Sequence, residues 1–171
     1  MTINGPGALT IDGCDENKSG IGAFEVGIIT INGGTINVRG GVHGAGIGGD
    51  EHNEDGGTII INGGVVTAQG AGSAAGIGGG CGDYTTDGHS RWGRCGNIII
   101  NGGQVTARGG DETAGIGPGF NLLGSNSGRL TLGGQTLRKT SSIALALKAV
   151  VIIMVKSHSI ASRLPKASNS L

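Results

Sequence analysis

The stretch Ile98-Ile-Ile-Asn-Gly-Gly-Gln-Val-Thr-Ala-Arg-Gly-Gly-Asp-Glu-Thr-Ala-Gly-Ile-Gly117 is nearly restated at Ile59 to Gly78 and at Ile29 to Gly48. In each copy the Asn of Ile-Asn-Gly precedes the Ile of Gly-Ile-Gly by 15 residues: Asn32 to Ile47, Asn62 to Ile77, Asn101 to Ile116. A looser first copy runs from Asn4 to Ile21 with two extra residues, and a degraded last one begins at Leu130-Thr-Leu-Gly-Gly-Gln135. A period near 30 residues with Gly-rich corners signals a solenoid, because a unit this short buries its apolar face only against its neighbours.

Within each copy apolar and polar residues alternate, as in Ile36-Asn37-Val38, Val66-Thr67-Ala68 and Val105-Thr106-Ala107. Period two means strand. Each copy therefore holds two short strands around an Asn-Gly-Gly corner and then a tighter Ala-Gly-Ile-Gly segment. The expected fold is all-β, a parallel β-helix (β-solenoid) of about four to five coils with a non-repeat C-terminal segment. Four inward stacks follow: Ile3/Ile31/Ile61/Ile100, Leu9/Ile36/Val66/Val105, Ile11/Val38/Ala68/Ala107 and Ile21/Ile47/Ile77/Ile116. Asn4, Asn32, Asn62 and Asn101 fall at one corner, where stacked amides bond to one another as an Asn ladder. The glycines after them supply the positive φ of a tight turn. Two outward rows are expected, a polar one of Thr10, Asn37, Thr67 and Thr106, and one of Thr30, Ile60, Ile99 and Leu130 that grows apolar toward the C-terminus and needs a cover.

Composition agrees with this architecture. Of 171 residues 39 are Gly without a Gly-X-Y period, which excludes collagen, and only four are aromatic, too few for an ordinary globular core. Twelve basic residues balance twelve acidic ones. No basic footprint for nucleic acid or an anionic membrane results, and a polyanion partner is not expected. The chain opens inside a repeat without a basic, then apolar leader, and so reads as a fragment or excised domain.

Insertions recur at one place: residues 22–27, 49–57, 79–96 and 118–128 all follow Gly-Ile-Gly. All four aromatics, Phe24, Tyr84, Trp92 and Phe120, lie in them, beside Asp83, Asp87, His89 and Arg91. Aromatic faces next to carboxylates and Arg suit a sugar ring, so these eight residues are the ligand-binding candidates. The competing reading is that the aromatics hold long loops onto the coil surface. Cys81 and Cys95 bracket the longest loop and are the candidate disulfide; two thiols are the alternative.

Other chemistry is thin. Gly44-Ala-Gly-Ile-Gly48 looks superficially like a phosphate loop, but the element recurs at coil spacing with no helix and no Lys-Ser/Thr pair after it. No metal site is expected, since His43, His52, His89 and His158 lack zinc-ligand spacing. No cofactor is expected either; calcium is the one cation that Asp50-Glu-His-Asn-Glu-Asp55 could suit, against the favoured reading of a solvated charged loop. Asp111 and Glu112 read as surface charge. After Leu137 the repeat is lost, dividing the chain into a repeat domain, 1–137, and a tail, 138–171. In the tail, 143–155 is an apolar run too short to span a bilayer and expected to cap the last coil; the polar remainder is expected to be disordered.

The motif Ile-Ile-Ile-Asn-Gly-Gly-x-Val-Thr-Ala-x-Gly followed by Ala-Gly-Ile-Gly resembles Gly-rich repeats of large bacterial surface proteins described as adhesin-like or carbohydrate-binding-domain proteins. The resemblance covers about residues 2–119 and implies a parallel β-helix, a cell-surface or secreted setting, and a glycan or host-surface protein as partner. It transfers no catalytic residue. β-Helix polysaccharide lyases and hydrolases carry acidic and basic clusters on the outer strand surface, which draws attention to Asp12, Arg39 and Arg108, yet no paired carboxylates recur. The expected function is a noncatalytic extracellular adhesin-like or carbohydrate-binding module, with a purely structural spacer as the alternative and a polysaccharide lyase or hydrolase as the lesser one.

Overall fold

In the computed structural model, the structure describes residues 1–13, 15–23, 26–51, 56–82, 93–111, 113–120, 128–133, 135–138 and 151–155. The first full coil shows how the sequence folds. Strand β4 (Ile28–Ile31) turns at Asn32-Gly-Gly into β5 (Thr35–Arg39), and a Gly-rich connection leads to the short β6 (Ile47–Gly48). The next coils repeat this as β7 (Thr58–Ile61), β8 (Val65–Gln69), β9 (Ile77–Gly78) and β10 (Gly96–Ile100), β11 (Gly103–Arg108), β12 (Ile116–Gly117). Ahead of them lie β1 (Thr2–Ile3), β2 (Ala8–Ile11) and β3 (Ile21–Gly22); behind them lie β13 (Gly128–Leu132), β14 (Gln135–Arg138) and β15 (Val151–Val155). Each coil contributes one strand to each of three sheets, ordered β1-β4-β7-β10-β13-β14, β15-β11-β8-β5-β2 and β12-β9-β6-β3. The fold is a parallel β-helix, and among the described residues no helix is present.

All pairing between coils is parallel and in register, so like residue meets like. The four expected stacks form: Ile31, Ile61, Ile100, Ile47 and Ile77 are fully enclosed, and Ile36, Val66, Val105, Ala68 and Ala107 join them in the core. A fifth stack, Ile29 on Ile59 on Ile98 on Leu130, completes the interior. Alternation explains it, because Ile29 and Ile31 lie two residues apart on one strand and share its inner face.

That stack corrects one expectation. Leu130 does not continue the outer row of Thr30, Ile60 and Ile99; it pairs with Ile98 and packs against the core, and Thr131 takes the outer place beside Ile99. The row therefore runs Thr2, Thr30, Ile60, Ile99, Thr131 and returns to polar at its end instead of growing steadily apolar.

The Asn ladder forms as expected. Asn32 Nδ2 donates to Asn4 Oδ1 at 2.6 Å, Asn62 Nδ2 to Asn32 Oδ1 at 2.7 Å, and Asn101 Nδ2 to Asn62 Oδ1 at 2.8 Å. The second glycine of each following corner, Gly34, Gly64 and Gly103, has φ near +90° (+92°, +91° and +90°). In the third sheet Gly48 and Gly78 hold φ of +139° and +131°, and a Cβ on either would meet the carbonyl oxygen of the glycine in the next coil. Repeated Gly-Ile-Gly is thus a packing requirement of the narrowest sheet.

The C-terminal end departs from the repeat. Where Asn101 follows Ile100, Gly133 follows Leu132, and the chain reverses there, Gly133 having φ +51°. β14 returns antiparallel along β13, Leu130 opposite Leu137. The vacant edge of the second sheet is taken by β15, antiparallel to β11 with Val105 opposite Ile153. Part of the apolar run 143–155 thus caps the last coil as a strand; residues 143–150 and the tail beyond 155 lie outside the described residues. No helix of the described residues is long and apolar enough to cross a membrane.

Stacked burial makes inner and outer positions of one strand energetically distinct. Ile61→Ala is expected to lower the unfolding free energy by about 2–5 kcal/mol, whereas Ile60→Thr, which restores the residue found at Thr30, should change it by about 1 kcal/mol or less, as read by chemical denaturation.

Candidate functional site

The connections from the third sheet back to the first, at residues 23–27, 49–57, 79–95 and 118–127, carry the long insertions, so these emerge at one corner of the solenoid. Of the eight candidates placed there, Phe24, Asp83, Tyr84, Asp87, His89, Arg91 and Trp92 lie outside the described residues. Phe120 is half-buried. Its amide donates to Ser73 O at 2.8 Å and its carbonyl accepts from Gly82 N at 2.9 Å, while Gly119 N donates to Gly93 O at 3.1 Å. Gly82 and Gly93 are the two feet of the longest loop, and the Gly119-Phe120 segment holds both. Cys81 and Cys95 flank those feet; Cys81 Sγ lies 3.4 Å from Gly82 O and Cys95 is buried.

Asp50 overturns part of the solvated-loop reading. Its side chain is 8% exposed, and Oδ1 accepts from Ser19 N at 2.6 Å and Ser19 Oγ at 2.8 Å, while Oδ2 lies 2.9 Å from Lys18 Nζ. The chain runs beside the first coil's second corner both before and after Gly46-Ile-Gly48: His43 N donates to Glu16 O, and Glu51 N to Asn17 O, each at 2.9 Å. Three donors on one buried carboxylate offset its desolvation. Asp50 is a clamp between coils. Residues 52–55 of the same run lie outside the described residues, and among those described no group of three or more His, Cys, Asp or Glu is placed to hold a metal ion.

A concave feature lies at another corner. A groove of about 460 Å³ is lined by Arg39, Gln69, Arg108 and Asp111 together with residues 70–72 and 109–110. Arg39, Gln69 and Arg108 are the last residues of β5, β8 and β11 and pair directly from coil to coil. The Gly-rich turns that follow form the floor, because chains that bend without side chains leave space beside the strand ends. Arg39 Nη1 lies 3.9 Å from Asp12 Oδ1 in the first coil, both exposed, which is a weak pair in solvent. Asp111 closes the other end. The residues that line this groove come from three copies 30 to 39 residues apart; what marked it in the sequence was a polar residue before Gly at one repeat position, Arg39, Gln69 and Arg108.

In-register sheets on three faces, an amide ladder and one repeated core define the class of protein: a parallel β-helix built from short coils. A family model described as beta helix repeat matches residues 29–51, 59–81 and 98–120, and the chain is a β-helix repeat protein. Comparison with curated proteins and with solved structures found no match.

Removing the clamp should loosen the first coil without dissolving the rest. Asp50→Ala, which strands the Ser19 donors, is expected to lower stability by about 1–3 kcal/mol. Hydrogen exchange should show the effect at Ser19 and its neighbours, with Ile61 and Ile100 still protected.

Proposed function

We propose that the chain is a noncatalytic, extracellular carbohydrate-binding module of the adhesin-like kind, in which a rigid solenoid presents polar side chains to a glycan. The observation that carries this reading is the groove: two arginines and a glutamine from a fixed row, with an aspartate beyond them, line a concavity large enough for sugar residues. Such groups match saccharide hydroxyls, which both donate and accept. The resemblance of the repeats to those of bacterial surface proteins supports the extracellular setting. The loop corner with Tyr84 and Trp92 is the second contact surface in this reading.

The noncatalytic part rests on spacing. In the strand-end row the one carboxylate is Asp12 of the first coil, and the carboxylate that lines the groove, Asp111, stands in the turn after β11 of the fourth. Their backbone positions are at least three rungs, about 14 Å, apart. Glycoside hydrolysis uses carboxyl groups roughly 5–9.5 Å apart. A purely structural spacer is the second reading, supported by the unbroken ladders, which would serve length as well as recognition.

On a glycan array the chain is expected to bind, and Arg108→Ala to weaken that binding by about tenfold or more through loss of charge-assisted hydrogen bonds, with an unchanged circular dichroism spectrum. Loss with Trp92→Ala instead would move the site to the loop corner. An array without hits favours the spacer.

A further inference from the structure

We infer that the groove selects acidic saccharides whose carboxylates recur on every second sugar, with the chain of sugars lying along the solenoid axis; this rests on the carbohydrate-binding reading and adds a ligand class to it.

Parallel strands stack about 4.8 Å apart, so Arg39 and Arg108, two rungs apart, are offset by about 9.6 Å along the axis. Gln69 occupies the rung between them. A pyranose ring with its glycosidic oxygen spans close to one rung, so alternate sugars of an extended glycan come level with the two guanidiniums. The sugar between them meets a neutral amide. A guanidinium offers a planar fork of donors that matches a carboxylate in two parallel hydrogen bonds, whereas Gln69 offers one donor group and one acceptor, suited to hydroxyls or an N-acetyl group.

Charge around the groove points the same way. Among the described residues Arg108 has no ion-pair partner, and Arg39 has only the long, exposed contact with Asp12, which a ligand carboxylate can displace. Asp111 stands at the far end, where it accepts sugar hydroxyls and repels an acidic unit that extends past Arg108. A polymer with a carboxylate on every sugar meets that repulsion and places one charge opposite an uncharged amide. The chain as a whole has no net charge. Diffuse attraction is therefore absent, and discrimination depends on the local match.

The test uses the full chain and three oligosaccharides of equal length in titration calorimetry: an alternating uronate and N-acetylhexosamine chain, its carboxyl-reduced derivative, and a homopolymer of uronate. The alternating chain should bind best, with carboxyl reduction, Arg39→Gln and Arg108→Gln each weakening it by about tenfold or more. Asp12→Asn, which releases Arg39, should tighten it. All three substitutions are at exposed side chains, so the fold should be retained. Equal binding of the carboxyl-reduced chain, or binding of the homopolymer as tightly as the alternating one, overturns the inference while leaving carbohydrate binding intact. If none of the three binds and the glycan array also gives no hits, the underlying reading falls with it.

Discussion

Every residue in the inner rungs of the solenoid has to tolerate its equivalent one rung above and one below. Parallel pairing in register imposes that condition, with spacing of about 4.8 Å, and it sorts side chains by whether they are compatible with themselves. Isoleucine is, since flat aliphatic faces stack without a void, and the fully enclosed Ile31, Ile61 and Ile100 follow. Asparagine is as well, because its amide carries both a donor and an acceptor; in the bonds from Asn101 through Asn62 and Asn32 to Asn4, the two inner residues use one of each. Charges are not. Where the outer row carries arginine, Arg39 and Arg108 are separated by Gln69, and Arg39 meets Asp12 on its other side.

The same condition explains where the solenoid stops. Glycine at 133 has no side-chain amide to extend the ladder past Asn101 and readily takes positive φ, so the chain reverses into the β13–β14 hairpin instead of rounding the corner. That reversal leaves β11 at an open edge, and an unpaired parallel edge is a template for association. β15 fills it antiparallel, bringing a strand that the repeat pattern does not contain.

Much of this was legible in the sequence because repeat and alternation reinforce each other: a landmark such as Asn62 sets the register, and period two then assigns every neighbour to a face. The error at Leu130 shows the limit. In the degraded last copy the landmark asparagine is absent, and matching Leu130 to Ile99 instead of Ile98 is a slip of one residue, which in a strand exchanges inside for outside. Asp50 was unreadable for a different reason. An acidic run looks solvated in one dimension, and only the return of the chain beside Ser19 supplies the donors that allow burial. The groove depends on three residues remote in sequence, each of which looks like an ordinary surface polar group when taken alone.

Two corners of the solenoid therefore carry different kinds of variability. Insertions between the third and first sheets change length freely, from residues 23–27 to residues 79–95, because they leave the rungs on either side in contact. At the groove the connections from β5 to β6, β8 to β9 and β11 to β12 keep one length, since the 15-residue spacing from Asn to Ile is constant in those coils. The axial offset between Arg39 and Arg108 is set by the hydrogen-bond ladder and not by any loop. A loop-borne site adapts its shape to a ligand and loses ordering entropy in doing so. A site on the rungs has its spacing in place beforehand, which suits a regular polymer better than a single small molecule, and is why the proposed ligand is defined by the repeat distance of its charges.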